Sequence, residues 1–554
     1  MTESDLNRSS QVFGGLRAVF FALAVACCVS PAAALDGLTD QDLATVRVNI
    51  VDLLASEPNL PLPVRQRQEA LAAYYAGQGG ELLWLGHERA PAFIEWMRSA
   101  ADDGLDPAAY PTEQLVNLSD AIPVTDDRGR AIIELHFSAA FLEYASDLRV
   151  GRFLPRKVDP NFFLQKREID QLAALEELAS ARNLDQFFIG WQPSAPEYEE
   201  LRVALGDYRA LGQAGGWPQV PMGETLKPGM TDPRVPMLRA RLAVTDGASP
   251  EAPVGAEDLY DDELVAIVRS FQARHGLEID GLVGRGTIVA LNVPVEDRIQ
   301  EIIVAMERWR WMPESLGEKY VMVNIAGFEL TRVSDGKVEE KMAVVVGKPY
   351  HRTPVFSDEI RYLEFNPYWN VPSSIALKEE LPKLRKNPGA RAAAGFEAVR
   401  GDTVYPLTSI NWNQYGPGNF PFRLRQRPGP NNALGQVKYM FPNQFNVYLH
   451  DTPSKSLFSR ADRAFSHGCV RLSRPLELAP PVLAAGGLSG WDIGRVNQVV
   501  GSGQRTVVSL EKPLPVHITY FTAWVDQGVP NFRADVYSQD EKLIAALGGQ
   551  SIAW

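Results

Sequence analysis

Cysteine is scarce in this 554-residue chain: Cys27, Cys28 and Cys469 are the whole complement. Three thiols are too few for a disulfide framework or a multi-cysteine zinc site. Basic charge is also in deficit. Lys and Arg number 55 against 68 Asp and Glu, a formal net charge of −13. That balance argues against a nucleic-acid binder, whose domains are usually basic. Beyond the N-terminal segment, no stretch approaches the roughly 18 uninterrupted apolar residues of a membrane-spanning helix. The 44 glycines and 40 prolines follow no triplet period, so the chain is not collagen-like. Hydrophobic residues at 45% and charged residues at 22% are ordinary for a soluble globular protein. The length suggests about two to four domains.

Residues 1–34 read as a secretory signal. Arg8 and Arg17 precede an apolar run from Ala18 to Val29, then Ser30-Pro31 and the small-residue site Ala32-Ala33-Ala34. The run falls short of the ~20 residues needed to cross a bilayer. The stretch from Ala18 to Leu35 also admits a second reading, an uncleaved anchor. Cleavage would remove Cys27 and Cys28 and leave Cys469 as the single thiol. A lone thiol cannot form an internal disulfide, so it is either a buried apolar residue or a working nucleophile.

The remainder reads as a multidomain α+β chain. Residues 35–210 have helical periodicity at Asp40–Leu54, Gln66–Tyr75, Ala90–Ala101 and Ala131–Leu148, and form a helical scaffold. Residues 211–228 are rich in Gly and Pro and form a linker. Residues 229–293 hold three short helices, around Val235–Leu242, Glu263–His275 and Thr287–Leu291, with Gly276 ending the second and Asp280-Gly281 as a turn. A connecting helix follows in 294–319. From Tyr320 the pattern alternates, with Val321, Val323 and Ile325 on one face. Asp335-Gly336 suits a type I′ hairpin turn leading into Lys341–Gly347. Arg361–Phe365, Asn446–His450 and Arg505–Leu510 are further strands of a β-rich domain over 320–500, with C-terminal strands and a tail in 501–554. Residues 372–435 form a long Gly- and Pro-rich insertion, read as a cover over a site or as a disordered segment.

Chemistry concentrates between Tyr448 and Pro475, where His450, His467 and Cys469 fall within 20 residues although the chain has only seven histidines. A thiol with a pKa near ~8.5 is mostly protonated at neutral pH and needs a base to become a nucleophile. An imidazole can take that proton and return it to a leaving group. A third group must fix its tautomer. Ser466 and Gly468 suit a tight turn whose amides face a developing oxyanion. The same three side chains could instead be zinc ligands, which leaves the fourth ligand unassigned.

Two resemblances attach to these motifs. The run FQARHGLEIDGLVGRGTIVALN, Phe271 to Asn292, resembles the three-helix peptidoglycan-binding module, which either contacts the wall or serves as a spacer. The pattern of His450, fifteen residues, Ser-His-Gly-Cys and then Val-Arg resembles the YkuD-type L,D-transpeptidases. NPYWNVPSSI, RPGPNNALGQVKYMFPN, VYLHDTP and TAWVDQGVPNFRADVY are similar to the large Gram-negative, YcbB-like members. The resemblance implies a helical scaffold, a wall-binding module and a β-rich catalytic domain with a capping insertion. It implies Cys469 as acylated nucleophile and His450 as base, oriented by the carbonyl of Asp451. The backbone of His467, Gly468 and Cys469 would form the oxyanion hole. Arg471, Tyr448 and Ser466 would hold or line the donor peptide, with Asn432 and Lys438 as further pocket residues and Trp369 as either wall or core. Peptidoglycan stem peptides would be donor and acceptor, with no metal or organic cofactor, in the periplasm. A stem amine, water or a lipoprotein lysine could accept the acyl group. A non-catalytic wall-binding scaffold is the reading that a missing Cys469 or His450 would have favoured.

Overall fold

The computed structural model describes residues 38–548, apart from residues 78–79, 166, 250 and 252–253. The expected signal segment, with Cys27 and Cys28, lies outside the described residues. The chain divides into two compact units. The smaller comprises the described residues up to Glu95, with Pro111–Phe141 and Gln171–Ala181. It is helical. The helix Asp40–Ser56 starts at Thr39, whose hydroxyl accepts from the Asp42 amide while the Asp42 carboxylate accepts from the Thr39 amide. That reciprocal box satisfies two orphan donors of the first turn. The expected helix from Gln66 to Tyr75 breaks at Arg67 into Leu62–Gln66 and Gln68–Ala76. In its core the buried Glu134 carboxylate accepts from the amides of Leu83, Trp84 and Leu85 and from the Tyr75 hydroxyl. Burial raises its pKa to about 7.

The larger unit carries the three-helix module, the β-rich domain and the insertion. The module's helices are Val235–Thr245, Asp262–Arg274 and Arg285–Leu291, around Leu238, Leu242, Leu264, Val268, Phe271 and Ile288. Gly276 and Gly281 have positive φ, as a helix end and a turn require. The connecting helix Val295–Trp311 follows.

Fifteen strands come next: β1 (Lys319–Asn324), β2 (Glu329–Ser334), β3 (Lys337–Gly347), β4 (Phe356–Phe365), β5 (Trp369–Asn370), β6 (Phe396–Arg400), β7 (Thr403–Tyr405), β8 (Arg423–Gln426), β9 (Val437–Met440), β10 (Leu449–His450), β11 (Ala464–Ser466), β12 (Val470–Leu472), β13 (Thr506–Thr519), β14 (Ala523–Asp526) and β15 (Val529–Phe532). Nine of them order as β11-β3-β12-β10-β9-β4-β13-β1-β2. The long β3 also pairs with β2, so the sheet closes on itself. The β2–β3 turn has Asp335 and Gly336 both at positive φ, as a type I′ turn demands. The strand expected at Arg505–Leu510 is longer, reaching Thr519, and sits between β4 and β1. The strand expected at Asn446–His450 is shorter. Asn446 has φ 54°, and the Asn443 side chain holds the amides of Phe445 and Val447 in a turn, so only Leu449 and His450 pair.

The insertion folds. Strands β5, β8, β6 and β7 form a second sheet in that order, over a core of Leu381, Leu384, Phe396, Leu407, Trp412 and Leu424. A segment with its own core is a cap, not a disordered loop. Finally β14 and β15 form a hairpin that packs against the three-helix module. Arg274 donates to the Pro530 carbonyl at 3.1 Å, and Arg533 donates to the Arg274 carbonyl at 2.7 Å.

Candidate active site

Side chains alternate across a strand, so one register decides which residues face the core and which face the cleft. Across β4, β9, β10 and β12 the paired residues Leu363, Tyr439, Leu449 and Val470 are all fully buried. Their neighbours one step along are Glu364, Lys438, His450 and Arg471, which therefore share the opposite face. Cys469 and Tyr448, two residues from Arg471 and His450, fall on that same face. It floors a cleft of about 1000 Å³ roofed by the cap. Cys469, His450, His467, Ser466, Arg471, Tyr448, Lys438 and Trp369 all line this cleft. Trp369, expected as either wall or core, lines the cleft and also packs against Phe396 of the cap core.

His450 is buried and its Nδ1–H donates to the Asp451 carbonyl at 2.5 Å. That bond sets the tautomer and leaves Nε2 as the acceptor. Burial, and then the nearby Arg471 charge, push its pKa down to about 3, so the ring is neutral at physiological pH. Asp451 is itself tied down. Its carboxylate accepts from the amides of Gln436 and Thr452 and from Lys455. Gly435 makes room for it: φ there is +60°, and a methyl group would lie 2.2 Å from Asp451 Oδ2.

The Cys469 thiol donates to the Asn446 carbonyl at 3.6 Å in this resting state. Burial raises its pKa, opposed by hydrogen bonds from the Tyr448 amide and hydroxyl and by the charges of Lys438 and Arg471. The resting pair is thus a thiol and a neutral imidazole, and the groups that would favour the thiolate already stand around the sulfur.

Ser466 stitches the nucleophile turn together. Its hydroxyl donates to the Cys469 carbonyl at 2.6 Å and accepts from the Gly468 amide at 3.0 Å. This corrects one expectation: the Gly468 amide is engaged within the turn and does not point at an oxyanion. The amides of His467 and Cys469 have no acceptor among the described residues. Gly468 itself needs φ +114°, which a side chain would oppose. Asn432 is a second correction. It is buried away from the cleft, its amide donating to the carbonyls of Pro367 and Arg427 and its oxygen accepting from Leu434, so it pins the loop that leaves the cap.

Lys438 lies 3.6 Å from Glu364, which also takes Arg505, and its Nζ sits 4.4 Å from the Tyr448 ring centroid. Arg471 has no carboxylate partner among the described residues, and its Nε is buried without an acceptor. It is a charge awaiting an anion.

Sequence reasoning missed Thr353 and Tyr537. The Thr353 hydroxyl donates to the Gly468 carbonyl at 2.8 Å and accepts from the Gly347 amide at 2.9 Å. Tyr537 donates to the Gly347 carbonyl and accepts from the Thr353 amide. Tyr537 ends the similar segment TAWVDQGVPNFRADVY, which was its only signal; Thr353, 116 residues before Cys469, had none. Glu379 was also missed. It bonds His467 Nε2 at 2.6 Å from the cap.

Comparisons with known proteins place three kinds of domain along the chain. Residues 318–507 match the L,D-transpeptidase catalytic domain model, 231–291 the peptidoglycan binding domain model and 69–205 the scaffold domain model. A Haemophilus influenzae protein provisionally named an L,D-transpeptidase is 32% identical over 246 residues, 44% of this chain and 49% of that protein. The chain thus matches about half the length of this curated relative. Among solved structures, an L,D-transpeptidase from Mycobacterium smegmatis is similar at 18% identity over 36% of this chain and 58% of its own, with a TM-score of 0.18. An L,D-transpeptidase from Xylanimonas cellulosilytica is similar at 18% identity over 54% and 98%, with the same TM-score. The chain thus joins, in one sequence, segments that match a YkuD L,D-transpeptidase catalytic domain, a peptidoglycan binding domain and a scaffold domain.

Proposed function

We propose that the protein is a peptidoglycan L,D-transpeptidase of the cell envelope, acting in the periplasm after export. The observation that carries this reading is the shared face of His450 and Cys469, with His450 Nδ1 held by Asp451 and Nε2 left as a base. Cys469 attacks the carbonyl of the third residue of a tetrapeptide stem. The carbon–sulfur bond forms, the bond to the terminal D-Ala nitrogen breaks, and the thiol proton passes through His450 to that amine. The amides of His467 and Cys469 stabilise the tetrahedral oxyanion. Arg471 and Lys438 receive the stem's carboxylates, Arg471 as a planar fork. The side-chain amine of a second stem then displaces Cys469 from the thioester and makes a 3–3 cross-link. The cap excludes water, which would turn transfer into hydrolysis.

The test is intact mass after incubation with a carbapenem, followed by product analysis with disaccharide-tetrapeptide. One adduct on the wild type, lost in Cys469→Ala, and a cross-linked dimer as product are expected. An adduct that survives Cys469→Ala would overturn the nucleophile. Tripeptide with no dimer would replace transfer by hydrolysis, and a labelled lipoprotein lysine would reveal anchoring as the reaction.

A further inference from the structure

The cleft around Cys469 is lined by charges of both signs drawn from different elements. On the sheet side stand Lys438 and Arg471. On the cap side the cleft is lined by two carboxylates, Glu379 and Glu380. Glu380 is buried and neutralised by Lys383 at 2.8 Å and Arg391 at 2.5 Å. Glu379 meets neither cation. Its Oε1 bonds His467 Nε2 at 2.6 Å, and its side chain is 42% exposed. Among the described residues it is the only carboxylate lining the cleft without a Lys or Arg partner. It also lies in a π-helical turn, Ala376–Glu380, a local irregularity that recurs at functional sites. His467, which holds it, is two residues before the nucleophile. Beyond His467 the rings of His351 and Tyr350 follow at 5.0 and 4.9 Å, leading out of the cleft to the exposed Tyr350.

Resting on the acyl-transfer reading above, we propose that Glu379 binds the attacking amine of the acceptor, a primary ammonium group in water. A transferase must tell its two peptide substrates apart at one sulfur. The donor presents carboxylates and the acceptor must present an amine. Arg471, without a carboxylate partner, and Glu379, without a Lys or Arg partner, sort those ends by charge. With Oε1 held by His467, Oε2 is left for the ammonium. The acceptor sheds one proton to solvent and attacks as the neutral amine. The carbon–nitrogen bond forms, the carbon–sulfur bond breaks, and the second amine proton returns through His450 to Cys469. The ring of His467 fixes the carboxylate while its amide faces the oxyanion, so one residue links acceptor and thioester.

The test compares wild type, Glu379→Gln and His467→Ala in the full chain, with disaccharide-tetrapeptide as donor and acceptor and a carbapenem as acylation probe. Loss of one charge-assisted contact is expected to raise the acceptor KM about tenfold and to lower the dimer-to-tripeptide ratio by a similar factor. The carbapenem acylation rate is expected to fall far less. Glu379→Asp should recover part of the transfer, since the charge is retained. An unchanged dimer-to-tripeptide ratio in Glu379→Gln overturns the proposal and leaves the transpeptidase reading standing. So does a loss of acylation and transfer in equal proportion in Glu379→Gln and His467→Ala, which would make the pair a latch for the turn. A wild type that acylates but forms no dimer overturns both.

Discussion

At the scale of single residues, the site separates the two histidines of the motif by what each ring nitrogen can do. His450 is committed through Nδ1 to Asp451 and keeps Nε2 free to accept a proton, in the proposed reaction that of the sulfur. His467 turns its Nε2 to Glu379 and offers its main chain to the site. We expect His450→Ala to abolish carbapenem acylation at neutral pH, with the rate recovering only as the pH rises through the elevated thiol pKa. His467→Ala should keep measurable acylation. The sign of the acid limb follows from burial. The His450 pKa is depressed to about 3, so its neutral, basic form persists as the pH falls, and the wild type should show no loss of acylation from this group between pH 7 and 5. Stopped-flow acylation from about pH 4.5 to about pH 10.5 measures both; a wild-type loss centred near the ordinary histidine pKa of about 6.5 would contradict the proposed buried base. The candidates themselves were legible in the residues because few thiols and imidazoles were available. The choice between the histidines rested on resemblance, and its physical reason is the register that aligns His450 with Arg471 and Lys438.

At the scale of elements, Cys469, the proposed nucleophile, sits on a turn held by others. Ser466, Thr353 and Tyr537 pin it, and Gly435 clears space for the Asp451 that orients the base. Gly435→Ala combines a disfavoured φ with a methyl 2.2 Å from Asp451 Oδ2. We expect it to destabilise the β-rich domain by ~2 kcal/mol or more. Acylation should slow at least about tenfold, because displacing the Asp451 loop lets the His450 ring turn. Thermal unfolding with acylation kinetics checks this; a variant with wild-type values of both would show that the loop yields without cost. Helices and long strands were readable from periodicity. The short β10 was not, because Asn443 diverts the preceding residues into a turn through side-chain bonds that alternation cannot register. Thr353 was invisible for a related reason: its role is a tertiary hydrogen bond across the fold, and one threonine in a loop carries no pattern.

At the scale of the larger unit, the C-terminal hairpin bolts the three-helix module to the β-rich domain. The buried Phe532 packs at a tilt against Tyr208 and stacks near His275, with Arg298 4.5 Å from its ring centroid. Phe532→Ala should cost about 3 kcal/mol, the usual loss for a buried aromatic, and should uncouple the module. The expected signs are a second thermal transition and faster proteolysis in residues 211–228, with acylation by a small carbapenem retained. A single transition at the wild-type temperature would mean that the arginine-to-carbonyl bonds suffice alone. The acidic excess excludes a partner class but plays no part in this docking, which is built from buried arginines and aromatic rings.

Composition and local pattern determined much of this molecule. The scarcity of cysteine isolates Cys469, the period of the apolar residues separates a helical part from a β-rich part, and the motif around His450 and Cys469 carries the family resemblance that suggests acyl transfer. These are properties of neighbouring residues, and neighbours in sequence carry them. Tertiary structure alone decided which ring nitrogen is free, that the Gly468 amide is engaged and Asn432 is structural, that the insertion is a folded cap, and that Glu379 meets His467 in the cleft that Lys438 and Arg471 also line. Each of those depends on groups brought together from distant parts of the chain by strand register and by the cap's own core, and no local pattern encodes such a meeting.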